Sequence, residues 1–143
     1  MKQCLLCVAT LIALSVSSTQ IARVLSAQLT NEPIDFQIMA QSNARDGKHV
    51  SIAVLVPPTS RKSDVIALAG TLKTKHKIGA TTVFVEIWNS KEAYLNRLND
   101  NYPFCKMIVH KLVEATYNSQ NSYDEIEWVP DKWAGEISKC RAE

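Results

Sequence analysis

The stretch Val50-Ser51-Ile52-Ala53-Val54-Leu55-Val56 is a nearly continuous apolar run that ends at Pro57-Pro58. An alternating strand shows one face to a core, but a strand apolar almost throughout must be covered on both faces. It therefore belongs in the middle of a sheet. The chain around it has to supply strands on either side and a layer to cover them.

The sequence after the prolines provides both. Thr59 and Ser60 are suited to cap a helix. Val65, Leu68, Ala69 and Leu72 then recur at three and four residues as one apolar stripe, with Arg61, Lys62, Lys73, Lys75 and Lys77 mainly at its ends. Ile78-Gly79 stops the helix, with Gly79 as a left-handed cap. Thr81 to Trp88 is β-branched and aromatic and reads as a strand. Strand, helix and strand form a parallel, right-handed βαβ unit.

Upstream, Ile34 to Met39 alternates as a half-buried strand. Asn43 to Gly47, ending in Asp-Gly, makes the turn of a hairpin into the central strand. Downstream, Asn89 with Glu92 three residues later resembles a capping box for a short helix bearing Ala93, Tyr94, Leu95 and Leu98. Phe104 to Glu114 fits both strand and helix spacing; a strand is expected over at least Leu112–Tyr117. Asn118 to Ser122 is then a turn, and Glu125-Ile126-Glu127-Trp128 alternates again. Pro130 suits the first turn of a last helix, which puts Trp133, Ile137 and Cys140 on one face. The fold class is α/β (α+β): a single two-layer domain, ββαβαββ plus a C-terminal helix, with a mixed sheet and helices mainly on one face.

Residues 1–27 read differently. Lys2, the apolar block Cys4 to Val16 and the small, polar residues after it have the three parts of a secretory signal peptide, and leave 28–143 as the single domain. The block is shorter than the roughly 20 residues of a spanning helix, so no membrane span is expected after its removal. Loss of Lys2 and Arg23 leaves fourteen basic and fourteen acidic side chains, a net charge of zero. Nucleic-acid binders carry a basic excess, so that partner class is not expected. Cys4 and Cys7 leave as well, and Cys105 and Cys140 are expected to form one disulfide in an oxidising, periplasmic or extracellular compartment.

Chemistry-bearing motifs are sparse. No G-x-G loop, no C-x-x-C after residue 27 and no H-E-x-x-H occur, and His49, His76 and His110 lie far apart. Cys105 with His110 would make a nucleophile and base only if the bridge did not consume the thiol. No catalytic, cofactor-binding or metal-ligating set is therefore expected, and no cofactor. Two charge clusters, Lys73/Lys75/His76/Lys77 and Asp124/Glu125/Glu127/Asp131, read as solvated faces or as a pair of docking surfaces. Trp88, Trp128 and Trp133 suit core or rim packing. Tyr117, Asn118 and Tyr123, around the last turn, are the candidate recognition surface.

The strand Ser51–Val56, the strand Val83–Trp88 followed by Asn89-Ser90-Lys91-Glu92-Ala93, and Ala115-x-Tyr117-Asn118 with Glu125-Ile126-x-Trp128 resemble small exported bacterial domains of unknown function. That resemblance implies fold and export, and brings no activity with it. The expected function is an exported, non-enzymatic module binding another protein or an envelope component. A small secreted or periplasmic hydrolase, with a site assembled only in the fold, and a secreted effector or inhibitor are the alternatives.

Overall fold

The computed structural model describes residues 34–141. Residues 1–33, with the stretch 1–27 that is expected to be a signal peptide, lie outside the described residues. In order along the chain the elements are β1 (Gln37–Asn43), β2 (His49–Leu55), α1 (Lys62–Lys77), β3 (Thr82–Trp88), α2 (Lys91–Leu95), α3 (Phe104–Ile108), β4 (Lys111–Asn118), β5 (Tyr123–Trp128), α4 (Val129–Lys132) and α5 (Ala134–Cys140). The five strands form one sheet in the order β1-β2-β3-β4-β5, with β2 and β3 parallel and every other pair antiparallel. The chain is an α/β domain with a mixed sheet.

The apolar run forms an internal strand between β1 and β3, but the expected cover on both faces is met on one face only: on the other, Ser51 is exposed and Ala53 alone lies under a helix. Ile52 and Val54 point under α1 and are at most 1% exposed, while Ala53 points the other way and is also buried. Val83, Val85 and Ile87 of β3 and Val113 and Ala115 of β4 extend the same apolar layer, and Val65, Leu68, Ala69 and Leu72 of α1 pack onto it. At the rough rate of 25 cal/mol per Å² of apolar area removed from water, this layer is the largest single source of stability.

A second, smaller cluster lies on the opposite face, where Ala53 and Trp88 meet Ala93 and Tyr94 of α2, with Met39, Tyr102 and Met107 around them. The main helical layer is α1 on one face, and α2 with its following loop covers one end of the other. A third cluster joins Ile108 of α3 to Val129 and Ile137, with Trp133 and Cys140 beside them. The Cys105–Cys140 disulfide closes it, with Cα atoms 5.2 Å apart.

Several elements sit differently from the sequence expectation. The first strand is Gln37–Asn43 rather than Ile34–Met39, because β2 ends at Leu55 opposite Gln37 and offers pairing as far as Val50 opposite Asn43; within that span a bulge falls between Ile38 and Ala40. Asn43 belongs to that strand, and the turn runs from Ala44, whose carbonyl accepts from the Gly47 N–H at 2.8 Å; Gly47 has φ +68°. Neither Thr59 nor Ser60 caps α1: Arg61 holds the N-cap position without a side-chain bond. The Ser60 N–H is instead used in a turn with the Pro57 carbonyl at 3.0 Å. Gly79 does take the left-handed conformation, φ +80°, just past the helix.

The cap of α2 is Ser90 rather than Asn89; its Oγ accepts from the Ala93 N–H at 3.2 Å. The ambiguous segment divides, with Phe104–Ile108 helical and the strand starting at Lys111. Pro130 opens α4 as expected, but a break at Trp133 makes the last helix two short ones.

Candidate functional site

The parallel pair gives the sheet a direction. In open α/β sheets ligands sit at the carboxyl ends of the strands, where the crossover connection leaves a crevice. Here β2 and β3 end together at Leu55 and Trp88. Beyond them the Val56 N–H donates to the Trp88 carbonyl at 2.9 Å, and the Asn89 N–H donates to the His110 carbonyl at 3.0 Å. A second bond, 2.8 Å between His110 Nδ1 and Asn89 Oδ1, fixes the Asn89 side chain.

A groove of about 480 Å³ opens at this edge. Phe36, Leu55, Val56, Pro57 and Pro58 form its apolar wall, and Asp35, Gln37, Asn89 and Lys91 give it a polar rim. Phe36 stays 46% exposed because no other described side chain fills the space over it. The two prolines hold the wall rigid, since their φ is fixed and they carry no N–H. A hollow of this size lies within the range of small-ligand sites.

A second hollow, about 410 Å³, lies at the other end of β2 between Ser42, Asn43, His49, Ser51, Thr82 and Phe84. Ala44, Val50 and Phe84 give it an apolar part beside these polar side chains.

Away from α2, the uncovered sheet face carries a line of carboxylates. Ala53, Glu86, Glu114 and Glu127 fall in one cross-strand row. Like charges placed directly opposite repel. Lys111 offsets this by reaching both Glu86, at 2.6 Å, and Glu114. Its ammonium also lies 5.3 Å from the centre of the Trp88 ring. Lys132 pairs with Glu127 at 2.6 Å, which raises the Lys132 pKa. These contacts engage the charges within the chain, and among the described residues no group of His, Cys, Asp and Glu is arranged to hold a metal ion.

The sheet separates the candidate recognition residues. Tyr117 faces α1, with the Lys77 ammonium 4.2 Å from its ring centre. Asn118 holds the turn, its Oδ1 accepting from the Gln120 N–H at 2.9 Å. Tyr123 is on the opposite face, 39% exposed, and its hydroxyl donates to Glu125 at 2.7 Å. That bond, followed by partial desolvation and the surrounding glutamates, pushes the Tyr123 pKa up to about 12.

The two charge clusters meet at one point, Asp124; Asp131 pairs instead with Lys62, outside the basic cluster, and Glu127 with Lys132. Lys73 and Lys77 both pair with Asp124, whose pKa they lower, Lys73 most strongly. Lys62 pairs with Asp131 at 2.5 Å. Lys73 is buried on the helix stripe, its stem packed and its head also 3.2 Å from the Glu125 carbonyl. These pairs pin β5 and α4 to α1. Trp88 is buried at 1% exposure, and Phe104 lies edge-on to Trp133 at 5.9 Å. With Cys105 in the disulfide, no thiol faces His110. Among the described residues no helix is long and apolar enough to cross a membrane.

The groove escaped the sequence reading because its lining comes from three separated segments, 35–37, 55–58 and 89–91. The one available signal was the pair of prolines at the end of the most apolar strand. Comparison with protein-family models, with curated proteins and with solved structures finds no match for the chain.

Proposed function

We propose that the chain is an exported binding module that takes a large apolar side chain of a partner protein into the groove at the carboxyl edge of β2 and β3. The observation carrying this reading is the unfilled apolar wall, with Phe36 46% exposed beside Leu55, Val56, Pro57 and Pro58. Large apolar groups left in contact with water mark interaction sites when they cluster. Gln37 and Asn89 at the rim offer amide donors and acceptors to the flanking backbone of a bound peptide. Export rests on the signal-like residues 1–27 and is supported by the disulfide, which persists in oxidising compartments.

The test is an amide NMR titration of the full chain with N-acetyl-phenylalanine amide, using N-acetyl-glycine amide as the control. Saturable shifts at Leu55, Val56, Asn89 and Lys91 are expected with the aromatic probe alone, and Phe36→Ala should weaken them. No saturable shift at these positions, or equal shifts with the glycine probe, would overturn the reading.

A further inference from the structure

The two edges of the sheet are finished differently. β5, at one edge, carries Asp124, Glu125 and Glu127 along its six residues. Charged side chains on an edge strand are a usual guard against pairing with another chain. β1, at the other edge, reads Gln-Ile-Met-Ala-Gln-Ser-Asn and has no charge at all. Six of its seven residues are exposed, Ile38 at 47%, and no other described element pairs with its outer side. Its one protective feature is the bulge between Ile38 and Ala40.

The charges nearest this strand are Asp35 before it and Arg45 after it, five residues on either side of Ala40. Neither has an ionic partner among the described residues. The neighbouring Asp46 is occupied, accepting from the Lys48 N–H at 2.9 Å.

We propose that β1 pairs antiparallel with β1 of a second copy of this chain, about a two-fold axis at Ala40, joining two five-stranded sheets into one. In that register Gln37 faces Asn43 of the other copy and Ile38 faces Ser42. Asp35 meets Arg45, and the symmetry makes each pair occur twice. Parallel in-register pairing would set Asp35 against Asp35 and Arg45 against Arg45, so the charge pattern selects the antiparallel partner. The exposed Ile38 is covered by the incoming strand.

The experiment is sedimentation equilibrium on the full, disulfide-closed chain, run on the native sequence and on three variants. The native chain is expected to show a monomer–dimer equilibrium. Asp35→Arg alone and Arg45→Asp alone should each raise the dissociation constant about tenfold or more, because two like-charge pairs replace two opposite ones. The double exchange, Asp35→Arg with Arg45→Asp, should restore native dimerisation. Both positions are exposed, so far-UV circular dichroism should match across all four proteins. Melting temperatures should match at concentrations low enough for all four to be monomeric, while at higher concentration the native chain and the double exchange should melt higher than the single exchanges. A native chain that stays monomeric at every concentration would overturn the proposal. So would a dimer indifferent to the single exchanges, or a double exchange that does not restore it. Because Asp35 and Gln37 also line the groove, groove binding is read on the native chain alone, by the shifts at Leu55, Val56, Asn89 and Lys91, so either reading can fail without the other.

Discussion

On the face beneath α1, β2, β3 and β4 place Ile52, Val54, Val83, Val85, Ile87, Val113 and Ala115, all buried and all apolar. On the opposite face the same strands place Ser51, Phe84, Glu86, Glu114 and Thr116, and only Ala53 and Trp88 at one end lie under a helix. The difference is one of sequence period. β2 and β3 keep their apolar positions in step with α1, and their other positions are free to be polar, which an antiparallel margin permits. Stability is concentrated on the first face. The second is held by ion pairs and leaves surface available for recognition, with the apolar groove just beyond the strand ends.

This contrast can be broken from either side. The largest effect is expected beneath α1. Ile87→Ala should cost about 3–5 kcal/mol, because the site is fully buried and cannot collapse freely. Phe84→Ala, at a half-buried position on the opposite face of the same strand, should cost clearly less despite removing a larger side chain. Equilibrium urea unfolding of the two variants measures both, and equal losses would erase the distinction between the faces.

Replacing Cys105 and Cys140 with alanine comes next. The bridge spans 35 residues and fastens α5 to α3, part of the segment that covers one end of the open face. Its loss should lower stability by about 3–4 kcal/mol in the chain-entropy description. Unfolding with and without a reductant provides the same comparison on the unmodified chain.

Lys111→Met sharpens the picture of the open face. It leaves Glu86 and Glu114 opposite one another without the intervening ammonium, both more than two-thirds buried. A loss of about 1–3 kcal/mol is expected, larger than for an exposed pair and smaller than for a fully buried one. Lys62→Met removes the exposed pair with Asp131 and should change stability by less than about 1 kcal/mol.

The smallest effect is a pH dependence. Lys73 and Lys77 lower the Asp124 pKa below its unfolded value near 3.8. Its contribution is present above that value and lost as pH falls through the lowered one. The raised Lys77 pKa works in the other direction: its contribution is present below 10.5 and lost as pH rises through the folded value. Asp124→Asn should flatten the acid limb of stability against pH below about 4.

The central features of the sheet were legible because they are encoded locally. A continuous apolar run, a stripe at helical spacing and a β-branched run gave β2, α1 and β3, and Asn118–Ser122 gave the last turn. The features that were missed depend on non-local contacts or single residues. Nothing in Ile-Met-Ala announces the bulge after Ile38, and it is the pairing with Val54 and Ala53 that fixes it. Five residues from Phe104 are too few for a period to separate helix from strand. The basic and acidic clusters are about fifty residues apart in sequence, and only the packing of α1 on β5 makes partners of Lys73, Lys77 and Asp124. The groove needed three segments brought to one edge. The recognition trio failed to assemble because alternation sends Tyr117 and Tyr123 to opposite faces, a consequence of their register that the turn between them concealed.

Hydroxyl-radical footprinting of the intact chain, read residue by residue by mass spectrometry, tests the two-faced account most directly. Beneath α1, Ile52 at 1%, Leu72 at 6% and Ile87 at 0% exposure should be protected, while Tyr123 of the open face at 39% and Phe36 beyond the strand ends at 46% should be oxidised readily. Labelling of Ile52, Leu72 and Ile87 together with protection of Tyr123 and Phe36 would contradict the account.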